Sequence, residues 1–86
     1  MTVERGRIVC SKAGRDKGCL MVAVGTKEKE VLVCNGKTRP LEAPKLKNIK
    51  HISAKPWKLT EEQLRTNKSV RHALRDYIVS QQSKER

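Results

Sequence analysis

Phenylalanine is absent from this chain, and tryptophan and tyrosine occur once each, at Trp57 and Tyr77. The core therefore has to be aliphatic, and a single indole carries a large share of the apolar area available. Acids are scarce too: 9 Asp and Glu stand against 20 Lys and Arg, a formal charge of +11 over 86 residues. No apolar run approaches the ~20 residues of a membrane span. The opening residues lack the apolar centre of a secretory signal. A cytoplasmic protein without membrane contact is the expectation.

Sets of residues that carry chemistry are missing as well. Cys10, Cys19 and Cys34 are an odd number with no Cys-x-x-Cys pair. Each sits in or beside an apolar run, so they read as reduced thiols packed as small hydrophobes, not as metal ligands or a redox pair. His51 and His72 have no Cys or His partner at ligand spacing. No Ser/His/Asp or Cys/His arrangement, paired-carboxylate site or nucleotide-binding glycine motif occurs. A binding protein is expected, with no catalysis, no cofactor and no metal.

What is present begins with the charge. A chain of this length makes one small domain with a thin core. Its excess of cations makes a polyanion the default partner, because binding one releases the condensed counterions.

Arg7 to Cys10 reads as a strand, with residues 1–5 as its lead-in or its first part. Cys19 to Gly25 reads as a second strand, in which Leu20, Val22 and Val24 alternate with Met21 and Ala23. Both of its faces are apolar, as in a closed barrel. Between the two runs lies a polar loop with Gly14, Gly18 and the cations Lys12, Arg15 and Lys17. Such a loop offers free backbone N–H groups beside positive side chains, which suits a phosphate. Val31 to Cys34 is a third strand. Asn35-Gly36 tolerates positive φ and signals a hairpin. Lys37 to Glu42 then returns as a fourth strand, at an edge because Pro40 has no N–H. Lys45 to Ile52 reads as a fifth strand with a one-turn or bulged start.

The character changes after Ser53. Ala54 to Leu59, with Pro56 and Trp57, reads as a linker. Thr60 and Gln63 form a capping box, with Leu59 and Leu64 as its staple. Ser69 or Asn67 caps a further helical stretch in which Val70, Ala73, Leu74, Tyr77 and Ile78 share one face. The expected architecture is mainly β: a five-stranded barrel over residues 1–53, a linker over 54–59, one or two C-terminal helices over 60–82 and a frayed tail over 83–86.

The spacing Gly6-x-x-Val9-x-x-x-x-Gly14-x-x-x-Gly18 resembles a KOW motif. The block Ser11-Lys12-Ala13-Gly14-Arg15-Asp16-Lys17-Gly18 is similar to the short bacterial KOW-domain proteins, relatives of the KOW-containing large-subunit ribosomal proteins of archaea and eukaryotes. Cys34-Asn35-Gly36-Lys37, Arg39, Leu41-Glu42, Pro44-Lys45, Lys47 and Lys50-His51-Ile52 also resemble that family. Met21 and Ala23 stand where NusG-type motifs carry another glycine and an apolar residue, which favours the ribosomal branch. The resemblance covers about residues 5–53. It implies an SH3-like barrel that binds RNA, ribosomal RNA above all, in the company of ribosomal proteins. A monomer is expected in the free state.

In KOW proteins the glycine loop faces RNA, so Lys12, Gly14, Arg15 and Lys17 are candidate RNA-binding residues. A second set is Lys37, Arg39, Lys45, Lys47 and Lys50. These lie in the stretch 37–58, where seven cations face one acid, Glu42; such an excess repels itself unless an anion is present. Alternation would put Lys37 and Arg39 on one strand face. Trp57 weighs more heavily as packing for the tail than as a base-stacking platform. Arg71 and Arg75, four apart on the helix, suit a solvated face or a second RNA contact equally. Two rivals stand beside this reading. One is a NusG-like module of transcription elongation. The other is a protein-interaction adaptor that uses the C-terminal helix.

Overall fold

In a computed structural model that describes residues 3–84, the chain is mainly β, with five antiparallel strands in one sheet followed by one long helix. The strands are β1 (Arg7–Ser11), β2 (Leu20–Lys27), β3 (Glu30–Cys34), β4 (Lys45–Asn48) and β5 (Ile52–Lys58), and the helix is α1 (Asn67–Lys84). Their order in the sheet is β4-β3-β2-β1-β5. The ladder is open between β4 and β5, which are joined by a single 3-10 turn, Ile49–His51. The Asn48 side chain caps that turn by accepting from the Lys50 N–H at 2.9 Å. Among these residues no helix is long and apolar enough to cross a membrane.

Period-two alternation sorts the apolar residues into two cores. Val9, Met21, Ala23, Val31, Val33 and Ile52 pack with Val3 on one face of the sheet. Ile8, Val22 and Cys34 turn to the other face and meet Leu64, Val70, Ala73, Leu74 and Tyr77. The two apolar faces of β2 thus have separate causes: one lines the curled sheet, and the other lies under α1. Burial in this second core pushes the Cys34 thiol up to about 11. Residues 3–6 are also docked. Val3 is 4 % exposed, and the Gly6 N–H donates to the Ala23 carbonyl at 2.6 Å.

Several boundaries differ from expectation. Lys37 to Glu42 is a loop, not a fourth strand. The Asn35 carboxamide oxygen accepts from both the Lys37 and Arg39 N–H groups at 2.9 Å, which curls the chain before a strand can form. Helix α1 then holds the loop in place. Arg71 donates to the Gly36 carbonyl at 2.7 Å, and the Asn67 side chain accepts from the Leu41 N–H at 2.7 Å. The stretch 45–52 divides into β4, the 3-10 turn and the start of β5.

Residues 54–58 are not a linker. They continue β5 to Lys58 and pair with β1 in the register Val9↔Ala54, with Arg7↔Lys58 beyond an irregularity. The Thr60–Gln63 capping box is present, with Gln63 N–H to Thr60 Oγ1 at 3.2 Å and Thr60 N–H to Gln63 Oε1 at 2.9 Å. It opens only a short 3-10 turn, Glu62–Leu64. Helix α1 is capped by Thr66, not by Ser69 or Asn67: the Ser69 N–H donates to Thr66 Oγ1 at 3.0 Å. The helix runs to Lys84, and residues 85–86 of the expected frayed tail lie outside the described residues.

Candidate nucleic-acid interface

The β1–β2 loop is built around two left-handed glycines, Gly14 (φ 80°) and Gly18 (φ 86°). They let the chain fold back so that the Gly18 N–H donates to the Ser11 carbonyl at 2.8 Å and the Lys17 N–H to the Gly14 carbonyl at 3.2 Å. The N–H groups of Ala13, Gly14, Arg15 and Asp16 find no backbone acceptor among the described residues. A turn with free donors and exposed cations is the kind of concavity that accepts an anion. Lys12, Arg15 and Lys17 are all exposed on it.

One residue of the loop turns inward. The Asp16 carboxylate accepts from Lys45 Nζ at 3.0 Å and lies 3.5 Å from Lys47 Nζ. The Lys45 hydrogen bond, with the charge of both lysines, holds its carboxyl below the ordinary value. Lys47 also donates to the Ala13 carbonyl at 3.0 Å and is only 8 % exposed.

This follows from the register of β4. Val31 pairs with Lys47 and Val33 with Lys45, and directly opposed residues share a face. The two lysines therefore lie on the face of the Val31 core. Leu46, between them, is paired with Leu32 and is 41 % exposed. Period-two alternation on a β strand normally puts leucine inside. Here the half-buried acceptors of the loop, the Asp16 carboxylate and the Ala13 carbonyl, hold the lysines on the inner face instead.

The expected RNA-binding residues therefore separate. Lys12, Arg15, Lys17 and Gly14 are exposed on the loop. Lys50 joins them, since Lys12 and Lys50 line one cleft with Ile49 and Ile52, and the Lys12 N–H donates to the His51 carbonyl at 2.7 Å. Lys45 and Lys47 fasten the loop from beneath: Lys47 keeps only 8 % of its surface, whereas Lys45 leaves 33 % of its side chain exposed. Lys37 and Arg39 do not share a strand face, because their segment is the Asn35 loop. Lys37 is exposed, Arg39 is half-buried, and Lys37 lies across a groove from Gly18 beside Arg71 and Arg75. The two arginines were legible as a four-residue helical repeat. Their proximity to Lys37 was not, because it depends on how α1 docks.

Three further cations, Arg5, Arg7 and Lys58, are paired with acids. Glu4 pairs with Lys58 at 2.9 Å and Arg7 at 3.0 Å, and the Lys58 hydrogen bond is the larger cause of its lowered pKa. Arg5 reaches Glu61 at 3.1 Å and the Val24 carbonyl at 2.7 Å. Trp57 lies edge-on to Tyr77, with ring centroids 5.5 Å apart at 74°, so it packs the helix against the sheet. No protein-family model matches the chain, and no curated protein matches it.

Proposed function

We propose that this chain is a non-catalytic RNA-binding protein of the KOW type, cytoplasmic and associated with ribosomal RNA. The observation that carries the reading is the glycine loop. It keeps Lys12, Arg15 and Lys17 exposed beside unpaired backbone N–H groups, while its one acid is occupied by inner lysines. With Asp16 neutralised from inside, little negative charge on the loop opposes an approaching phosphate. Lys50 extends the same cationic surface from the 3-10 turn.

The mechanism is binding alone. Lys12, Lys17 and Lys50 act as point charges on phosphates, and Arg15 can grip one bidentately. Contacts of this kind position an RNA without reading its bases, so a structured RNA is recognised by shape. The family resemblance of residues 5–53 supplies the ribosomal direction.

Salt dependence tests the reading. For a structured ribosomal RNA fragment, log affinity should fall linearly with log salt. A Lys12/Arg15/Lys17 triple alanine should lower that slope by about 2 to 3. An unchanged slope would sink the loop interface. Co-sedimentation of the tagged protein with ribosomal subunits tests the ribosomal part separately.

A further inference from the structure

Between the Gly18 end of the loop, the Asn35 turn and helix α1 lies a groove of about 410 Å³. Its floor is aliphatic: Leu20, Leu74 and Ile78. Its rim is cationic: Lys37, Arg71 and Arg75. No acidic residue lines it. Ile78 is 41 % exposed, the uncovered end of an otherwise buried helical stripe. Arg71 is already fixed, because it donates to the Gly36 carbonyl at 2.7 Å.

We infer that this groove takes one unpaired nucleotide of a bound RNA, its base on the aliphatic floor and its phosphate on the Lys37–Arg71–Arg75 rim. The inference rests on the RNA reading above and adds to it a place where a base leaves the helix. Three features select this occupant. The first is charge, since three cations and no acid call for an anion. The second is size: an open groove of about 410 Å³ matches one nucleotide lying along it. The third is the mixture of surfaces. Extruded bases pack against apolar side chains and stack on arginine planes, and the groove, which has no aromatic ring, presents both of these.

Sequence tolerance follows. The Asn35 carboxamide, the one side-chain amide in the lining, is largely engaged within its own turn: its oxygen accepts from the Lys37 and Arg39 N–H groups at 2.9 Å, and one of its two N–H donors goes to Thr38 Oγ1 at 3.0 Å. The groove therefore offers a base no side-chain acceptor, and its remaining donors are the cations that hold the phosphate, so all four bases should enter, with at most a modest preference among them.

Two RNA hairpins of identical stem, one fully paired and one with a single unpaired nucleotide, test this with the full chain. The bulged hairpin should bind about fivefold tighter, the low end of what one stacked base contributes, because the floor is aliphatic and not aromatic. Ile78→Ser should abolish that preference while keeping the affinity for the paired hairpin, and Ile78→Leu should restore it. Equal binding of the two hairpins overturns the groove and leaves the loop reading standing. Binding of neither overturns both. Preference that survives both Ile78→Ser and Arg75→Gln also overturns the groove. Cys19, exposed at its edge, gives a second measurement. The bulged hairpin should slow its alkylation more than the paired one. If a peptide rich in Glu and Leu slows it and the bulged hairpin does not, the occupant is a protein segment and the inference is wrong.

Discussion

Lys47 Nζ lies 3.5 Å from the Asp16 carboxylate, and that pairing ties the edge strand β4 to the inside of the cationic loop. The ammonium also donates to the Ala13 carbonyl at 3.0 Å. A lysine in this position is a fastening, and its charge is spent before any ligand arrives. The loop thus has an inner layer of cations that hold it and an outer layer that stays free.

The two layers should differ in a salt titration. Lys12→Ala, on the outside, should reduce the slope of log affinity against log salt by about 1. Lys47→Met keeps the stem, removes the buried charge and should leave the slope unchanged. A drop in slope for Lys47→Met equal to that for Lys12→Ala would place Lys47 on the RNA.

Asp16→Asn should cost stability, because it removes the counter-charge of Lys45 and of the nearly buried Lys47. The Asp16 side chain is itself only 17 % exposed. Loss of a charge-assisted hydrogen bond in such a setting is worth about 2 kcal/mol at neutral pH. The sign with pH follows from the lowered pKa of Asp16. The unfolded chain binds the proton more readily, so the stabilisation is full above the ordinary value of 3.8 and is lost as pH falls through the folded-state value. Urea midpoints of wild type and variant should therefore converge below about pH 4. The Glu4 carboxyl, also held below its ordinary value by Lys58 and Arg7, is untouched by the substitution, so the variant keeps part of the acid slope. Parallel midpoint curves down to strong acid would contradict the pairing.

Gly36 and Gly18 both sit at positive φ, 75° and 86°, yet their substitutions should not be equal. A Cβ at Gly18 meets nothing within 4 Å, so Gly18→Ala should cost only the left-handed strain, roughly 1 kcal/mol. A Cβ at Gly36 would fall against the Asn67 carbonyl in the first turn of α1 and 3.1 Å from the Arg71 side chain. Gly36→Ala should therefore cost about 3 kcal/mol, since the same strain is joined by displacement of the helix. Equal losses in urea unfolding would mean that the Asn35 turn does not support α1.

Much of this fold was legible because local rules and tertiary structure agree. β1, β2 and β3 follow from alternation, and the Thr60–Gln63 box follows from capping chemistry. The failures come where a distant partner outweighs a local signal. Asn35-Gly36 satisfied a hairpin rule, but Asn67 and Arg71, some thirty residues on, take the polar groups of the loop that follows it. Pro56 and Trp57 suggested a linker, yet β5 is an edge strand, where a missing N–H costs little. The candidate site divides in the same way. Lys12, Arg15 and Lys17 could be named from their turn, whereas the burial of Lys47 requires knowing that Asp16 lies above it.

Trp57 on β5 and Tyr77 on α1 meet edge to face, which makes the helix part of the sheet's stability. In a chain without phenylalanine no other aromatic pair can take over this contact. Trp57 is half-buried, so truncation removes less than a fully buried indole would. Trp57→Ala should destabilise by about 2–3 kcal/mol, toward the lower end of large-to-small core changes. Trp57→Phe should recover most of it. The loss is best followed by circular dichroism in urea, because the variant lacks its only tryptophan. RNA affinity separates packing from base stacking. If Trp57 only packs, Trp57→Ala should bind structured RNA as wild type does at temperatures where it is still folded. If the ring stacks on a base, affinity should fall several-fold in the folded variant, and Tyr77→Ala, which disrupts the same packing, should leave binding intact.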